Sequence, residues 1–129
     1  MMKTIWIVED DEDMAQAVQL MLKLLNCNST KFLGARPAAQ TLLTGQQPDL
    51  MILDINMPEV NGLDMLEFVR RRKEWKELPV IMLSTEAADV TVDKALALGA
   101  DGYVTKPVTI EELEKAMNMA FQKHQKGLL

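Results

Sequence analysis

A chain of 129 residues is long enough to bury one hydrophobic core and too short for two independently folded units. Its 48% hydrophobic and 26% charged residues exclude a disordered chain, and a net charge of -5 with a pI near 4.9 argues against a nucleic-acid ligand, which would need a clustered basic excess. A lone cysteine, Cys27, excludes an internal disulfide; with no signal-peptide character at the N-terminus and no apolar run near the roughly 20 residues of a membrane span, a cytoplasmic protein away from membranes is expected.

In chain order, short apolar runs alternate with segments of helical period. "TIWIV" (4–8), "TKFL" (30–33), "DLMIL" (49–53), "PVIML" (79–83) and "GYV" (102–104) are too short for helices and are bounded by turn residues, acids or proline, so they read as five strands. Between and after them, apolar residues recur at three- and four-residue intervals over 13–26, 36–45, 63–73, 86–98 and 109–124, which predicts five helices. Five strand–helix repeats imply parallel strands joined by right-handed crossovers, a doubly wound α/β domain with helices on both faces. The near-continuous apolar strands agree, because strands covered on both faces do not alternate with polar residues. Residues 1–124 form the expected domain; "HQKGLL" reads as a fraying end, leaving 125–129 as a short tail.

Ligands of such sheets bind at the carboxyl ends of the strands, so the residues that follow each apolar run carry the chemistry. Strand one runs into Glu9 and Asp10, strand three into Asp54, strand four into Ser84, and strand five leads through Thr105 to Lys106 and Pro107. Three carboxylates brought within a few ångströms cannot all stay ionised without a cation, and all-oxygen ligation favours a hard one such as Mg²⁺ (or Mn²⁺). Lys106 and the Ser84 hydroxyl would contact the oxygens of a phosphoryl group, and Asp54 at the centre would be the nucleophile that becomes an acyl phosphate.

"VEDDE", "MILDINMPEVNG", "VIMLSTEA" and "GADGYVTKP" together resemble the signature blocks of bacterial response-regulator receiver domains, the CheY-like family. The spacings agree too, with thirty positions from Asp54 to Ser84 and twenty-two from Ser84 to Lys106. The resemblance covers essentially the whole chain. It implies a flavodoxin-like (βα)5 fold with strand order 2-1-3-4-5 and a role in two-component signalling as a switch, not an enzyme. A sensor histidine kinase or phosphotransfer protein would supply the phosphoryl group to Asp54. For metal binding it implies Asp10 as direct ligand, Glu9 acting through water, Asp54, and the backbone carbonyl of Asn56. It further implies Ser84 as switching hydroxyl, Tyr103 as the aromatic coupled to it, and a cis peptide at Lys106-Pro107. Asn56 and Glu86 stand at the two positions that tune attack by water on the phosphate. Two residues are variants of the pattern: Glu9 stands where aspartate is frequent, and Ser84 where threonine is.

Other features carry blander readings. Asp11 is the extra acid, facing solvent near the first helix. "RRRK" at 70–73 is interleaved with Glu67, Glu74 and Glu77 and reads as a solvated helix end. His124 reads as a surface residue and not as a phosphorelay histidine. On the fifth helix, Ile110, Leu113, Ala116, Met117, Ala120 and Phe121 form one stripe; Met119 falls off it and, with Tyr103, marks the helix 4–strand 5–helix 5 face as the expected contact for a downstream partner or a second copy. Competing readings are an aspartyl-phosphate hydrolase of the haloacid-dehalogenase type, opposed by Asn56 at the place of its general acid, a receiver fold that signals without phosphorylation, and a receiver fragment of a longer DNA-binding or enzymatic regulator.

Overall fold

The structure, a computed structural model, describes residues 2–129. Five parallel strands, β1 (Thr4–Val8), β2 (Asn28–Phe32), β3 (Leu50–Asp54), β4 (Val80–Ser84) and β5 (Gly102–Thr105), lie in the order β2-β1-β3-β4-β5. They alternate with α1 (Glu12–Leu24), α2 (Ala35–Leu43), α3 (Gly62–Arg71), α4 (Asp89–Ala97) and α5 (Ile110–Lys123). This is the doubly wound arrangement expected from the strand–helix alternation, in the flavodoxin-like strand order that the family resemblance implies.

Each inner strand sends alternate residues to opposite faces. Trp6, Val8, Met51, Leu53, Val80 and Met82 pack with α2, α3 and α4, whereas Ile5, Ile7, Leu50, Ile52, Ile81 and Leu83 pack with α1 and α5. Both layers are apolar, which is why β3 and β4 are buried along their full length and show no polar alternation. Helix starts follow from capping chemistry. The Asp11 side chain accepts from the backbone N–H groups of Asp13 and Met14, Asn61 from Asp64, and Thr109 from Glu112. Asp11 is thus the N-cap of α1, a more specific role than solvent-facing charge.

Several boundaries differ from the sequence reading by one to three residues, and three of them have a cause in the structure. β2 begins two residues earlier, because it is an edge strand whose polar Asn28 and Ser29 pair with Thr4 and Ile5 and stay partly solvated. α4 begins at Asp89 rather than 86, since the Glu86 N–H donates to the Ser84 hydroxyl and the Glu86 carbonyl accepts from the Tyr103 hydroxyl, bonds that a helix start there would disrupt. α3 ends at Arg71 and is followed by a 3-10 turn, Lys73–Trp75, which buries Trp75 against Phe68.

The amino ends of the strands correct two further expectations. Arg70 is not part of a solvated helix end. It turns inward, with Nε donating to the Gly99 carbonyl at 2.9 Å, one terminal nitrogen to the Trp75 carbonyl and the other to Asp101 Oδ2 at 3.0 Å. The guanidinium satisfies the Trp75 carbonyl at the end of the 3-10 turn and the Gly99 carbonyl after α4. Arg71 and Arg72 do remain outside. Nor is His124 a plain surface residue: its side chain is 10% exposed and lies between Glu77 and Asp101. Beyond α5, the Lys126 N–H donates to the Phe121 carbonyl and the Leu129 N–H to Asn118 Oδ1.

Candidate functional site

The parallel topology brings the carboxyl ends of β1, β3, β4 and β5 to one edge of the sheet. Glu9 follows β1 directly, its N–H held by the Phe32 carbonyl. Asp54 is the last residue of β3 and sits opposite Leu83 of β4. Ser84 is opposite Thr105, and the Lys106 N–H donates to the Ser84 carbonyl at 2.8 Å. Register alone therefore gathers the acids, the hydroxyl and the lysine. Gly62, opening α3, lies so close to the Asp54 backbone that a Cβ there would collide with the Asp54 carbonyl. The glycine of "MPEVNG" is thus needed to close the loop over the strand end.

Glu9, Asp10 and Asp54 offer oxygens that all lie within 4.8 Å of one another, with Glu9 and Asp54 buried and Asp10 exposed. Lys106 Nζ reaches Glu9 Oε1 at 2.7 Å and Asp54 Oδ1 at 3.0 Å. Only the first is a well-aligned hydrogen bond; Asp54 Oδ1 is buried with no hydrogen-bond partner. The Asp11 N–H approaches the other Glu9 oxygen at 3.3 Å. Burial pushes the Glu9 carboxyl up to about 7, a rise the Lys106 hydrogen bond opposes and the neighbouring Asp54 charge adds to. For Lys106, burial disfavours the charge, but its hydrogen bond to Glu9 and its ion pair with Asp54 outweigh that and lift it above the ordinary lysine value. Three carboxylates around one lysine leave the pocket short of positive charge. An oxygen-only donor set and a buried carboxylate oxygen lacking a donor fit a hard divalent cation.

Sequence reasoning did not foresee how closely Glu9 holds Lys106. The extra methylene of glutamate over aspartate is the signal that could have suggested it. Asn56 and Glu86, both exposed, lie in the loops after β3 and β4 that border the acids. Ser84 is fully buried, its Oγ accepting from the Glu86 N–H at 3.0 Å. The Tyr103 hydroxyl donates to the Glu86 carbonyl at 2.7 Å, so this loop connects Ser84 with β5. The Lys106-Pro107 peptide is cis. Met119 is 57% exposed and lines, with Tyr103, Lys115 and Ala116, a cleft of about 270 Å³ beside β5.

Residues 5–118 match the family model described as the response regulator receiver domain. The chain is 32% identical over 119 residues to the chemotaxis protein CheY-3 of Vibrio cholerae, covering 92% of each protein. It is also 32% identical over 119 residues to protein RcaC of Microchaete diplosiphon, where the match covers 92% of this chain but only 18% of RcaC. Among solved structures, the chemotaxis response regulator CheY4 of Vibrio cholerae superposes with a TM-score of 0.84 at 27% identity, over 93% of this chain and 99% of that one.

Proposed function

The chain belongs to the response regulator receiver domain family and so to two-component signalling, and on that premise we propose that Asp54 is the residue that takes the phosphoryl group. Receiver domains receive it from histidine kinases or phosphotransfer proteins and are signalling domains rather than enzymes. The observation that carries the reading is the convergence of Glu9, Asp10 and Lys106 on a buried Asp54 whose Oδ1 has no hydrogen bond.

Asp54 Oδ1 is committed to no hydrogen bond and only paired with the Lys106 ammonium, which leaves its lone pairs for the nucleophile's role, and the surrounding protein excludes the water that would compete with it. The other end of the transfer falls to Lys106. Its ammonium, already 3.0 Å from Asp54 Oδ1, can follow the incoming phosphoryl oxygens with little movement. Ser84 Oγ, once released from the Glu86 N–H, can donate to a third oxygen. Receiver domains generally bind Mg²⁺; here Asp10, Asp54 and the Asn56 carbonyl, with Glu9 through water, would hold it or Mn²⁺. When bound, such an ion screens the carboxylates from one another and neutralises phosphoryl charge. Breaking the Ser84–Glu86 bond frees the loop that Tyr103 holds, and this supports the α4–β5–α5 face, with Tyr103 and Met119, as the surface that a downstream protein or a second copy reads. Asn56 and Glu86 then set the lifetime of the phosphate.

In this reading residues 1–124 are the receiver unit with 125–129 as its extension, and the domain works in the cytoplasm, contacting neither nucleic acid nor membrane. Among the described residues no helix is long and apolar enough to cross a membrane. The haloacid-dehalogenase alternative is disfavoured by a receiver match that runs from residue 5 to 118. The match to a small part of RcaC keeps a place within a longer regulator as a second reading. Incubation with acetyl phosphate and Mg²⁺, followed by intact-mass measurement, tests the proposal. One phosphate increment is expected on the wild type and none on Asp54→Ala; equal labelling of the variant would overturn the assignment.

A further inference from the structure

The described chain contains one histidine, and its surroundings constrain it tightly. His124 Nδ1 is 2.7 Å from Glu77 Oε2, and Nε2 is 2.9 Å from Asp101 Oδ2. The second contact is close but too poorly aligned for a hydrogen bond, and is an ion pair only when the ring is protonated. A neutral imidazole has one N–H and one lone pair. Either tautomer therefore sets a lone pair against a carboxylate oxygen, at 2.7 Å in one case and 2.9 Å in the other. Only the imidazolium offers a proton to both.

The groups facing this ring come from every element around it. Glu77 belongs to the loop before β4, and its carboxyl is held below the usual carboxylate range, first by the hydrogen bond from His124 and then by its charge. Asp101, just before β5, has a 2% exposed side chain and also takes bonds from Arg70 of α3 and from the Val80 N–H, with Lys123 at 3.6 Å. Lys126, beyond α5, adds a further positive charge near Glu77. Arg70 continues the chain of bonds to the Gly99 carbonyl at the end of α4. Gly99 has φ 108, and a Cβ there would come within 2.9 Å of Arg70, so α4 ends against the guanidinium.

We propose that His124 is a proton-dependent clasp that fastens the C-terminal end of α5 to the amino ends of β4 and β5, holding when the ring is doubly protonated and releasing when it is not. Its sign follows from the geometry. Protonation adds a donor facing Asp101 or Glu77, so the clasp is closed when the ring carries both protons and opens when it gives one up; it also weakens at low pH, once Glu77 takes up a proton. Release frees the end of the helix that lines the Met119 cleft, without touching the acids around Asp54 at the far edge of the sheet.

Amide exchange tests this, read at about pH 5.5 and about pH 8.5 and corrected for intrinsic rates. Protection of residues 120–126 in the wild type is expected to fall about tenfold between the two. His124→Gln should show the lower protection at both, and His124→Lys, always charged, should lose the pH dependence. Long-range nitrogen spectra of the ring give a reading that does not depend on any variant: both nitrogens should carry protons at the lower pH. A neutral tautomer there, or a pH dependence that survives in His124→Gln, would overturn the proposal.

Discussion

The two edges of the sheet both bury charge, and they do opposite things with it. At the amino ends, the single buried carboxylate of Asp101 is surrounded by Arg70, the Val80 N–H, Lys123 and His124, several donors to one acid, with His124 Nε2 the one buried atom among them lacking an aligned hydrogen bond. At the carboxyl ends, Glu9 and Asp54 share one lysine, Asp10 beside them has no ion-pair partner among the described residues, and Asp54 Oδ1 meets that lysine without an aligned hydrogen bond. Balanced charge fastens elements together; unbalanced charge leaves a place for something that arrives. The same kinds of side chain thus give a fixed edge and a reactive one, and the difference lies in how completely they are matched.

That contrast can be broken at several points. Removing one member of the balanced set should cost most. Arg70→Ala leaves Asp101 buried without its principal partner and should lower stability in urea unfolding by on the order of 3–5 kcal/mol. Arg71→Ala, whose partner Glu67 is a neighbour on an exposed helix face, should cost less than about 0.5 kcal/mol. Equal losses would mean that the inner network does not hold the base together.

At the unbalanced edge the sign reverses. The folded Glu9 carboxyl, raised from 4.5 to about 7, keeps a proton that the unfolded chain has lost, so its contribution is present below about 4.5 and disappears as pH rises towards 7. The metal-free Glu9→Gln variant should therefore be more stable than wild type above neutral pH, by on the order of 3 kcal/mol, and the two should converge in acid. Thermal unfolding across this pH range checks it; a variant that is less stable at pH 8 would contradict the charge imbalance.

Two smaller effects sharpen the picture of the acidic run. Asp10→Asn should weaken Mg²⁺ about tenfold or more in calorimetric titration, and Asp11→Asn should hardly change it, because Asp10 lies among the converging oxygens and Asp11 is occupied with the helix start. Asp11→Ala should instead cost about 1 kcal/mol of stability through loss of the α1 cap.

Sequence reasoning worked where one local rule acts. Apolar runs and their periods located all five strands and all five helices, and the residues singled out at the strand ends, Glu9, Asp10, Asp54, Ser84 and Lys106, lie at one end of the sheet. It misplaced the start of α4 because residues 86–88 have helix-forming side chains, while Tyr103 and Ser84, distant in sequence, take up the backbone groups of Glu86. It missed the base for the same reason. Nothing near Arg70 or His124 announces Asp101, which lies 31 and 23 positions away, and charge in the "RRRK" run looks alike whether it faces water or turns inward.

The separation of a reactive edge from a fixed one is tested most directly by an amide shift map recorded with Mg²⁺, before and after beryllofluoride. Large changes are expected at Glu9 and Asp54, through the loop from Ser84 to Asp89, and from Tyr103 to Lys106, with Arg70, Gly99, Asp101 and His124 unmoved. Shifts of equal size at the two edges, or shifts that persist in Asp54→Ala, would contradict it.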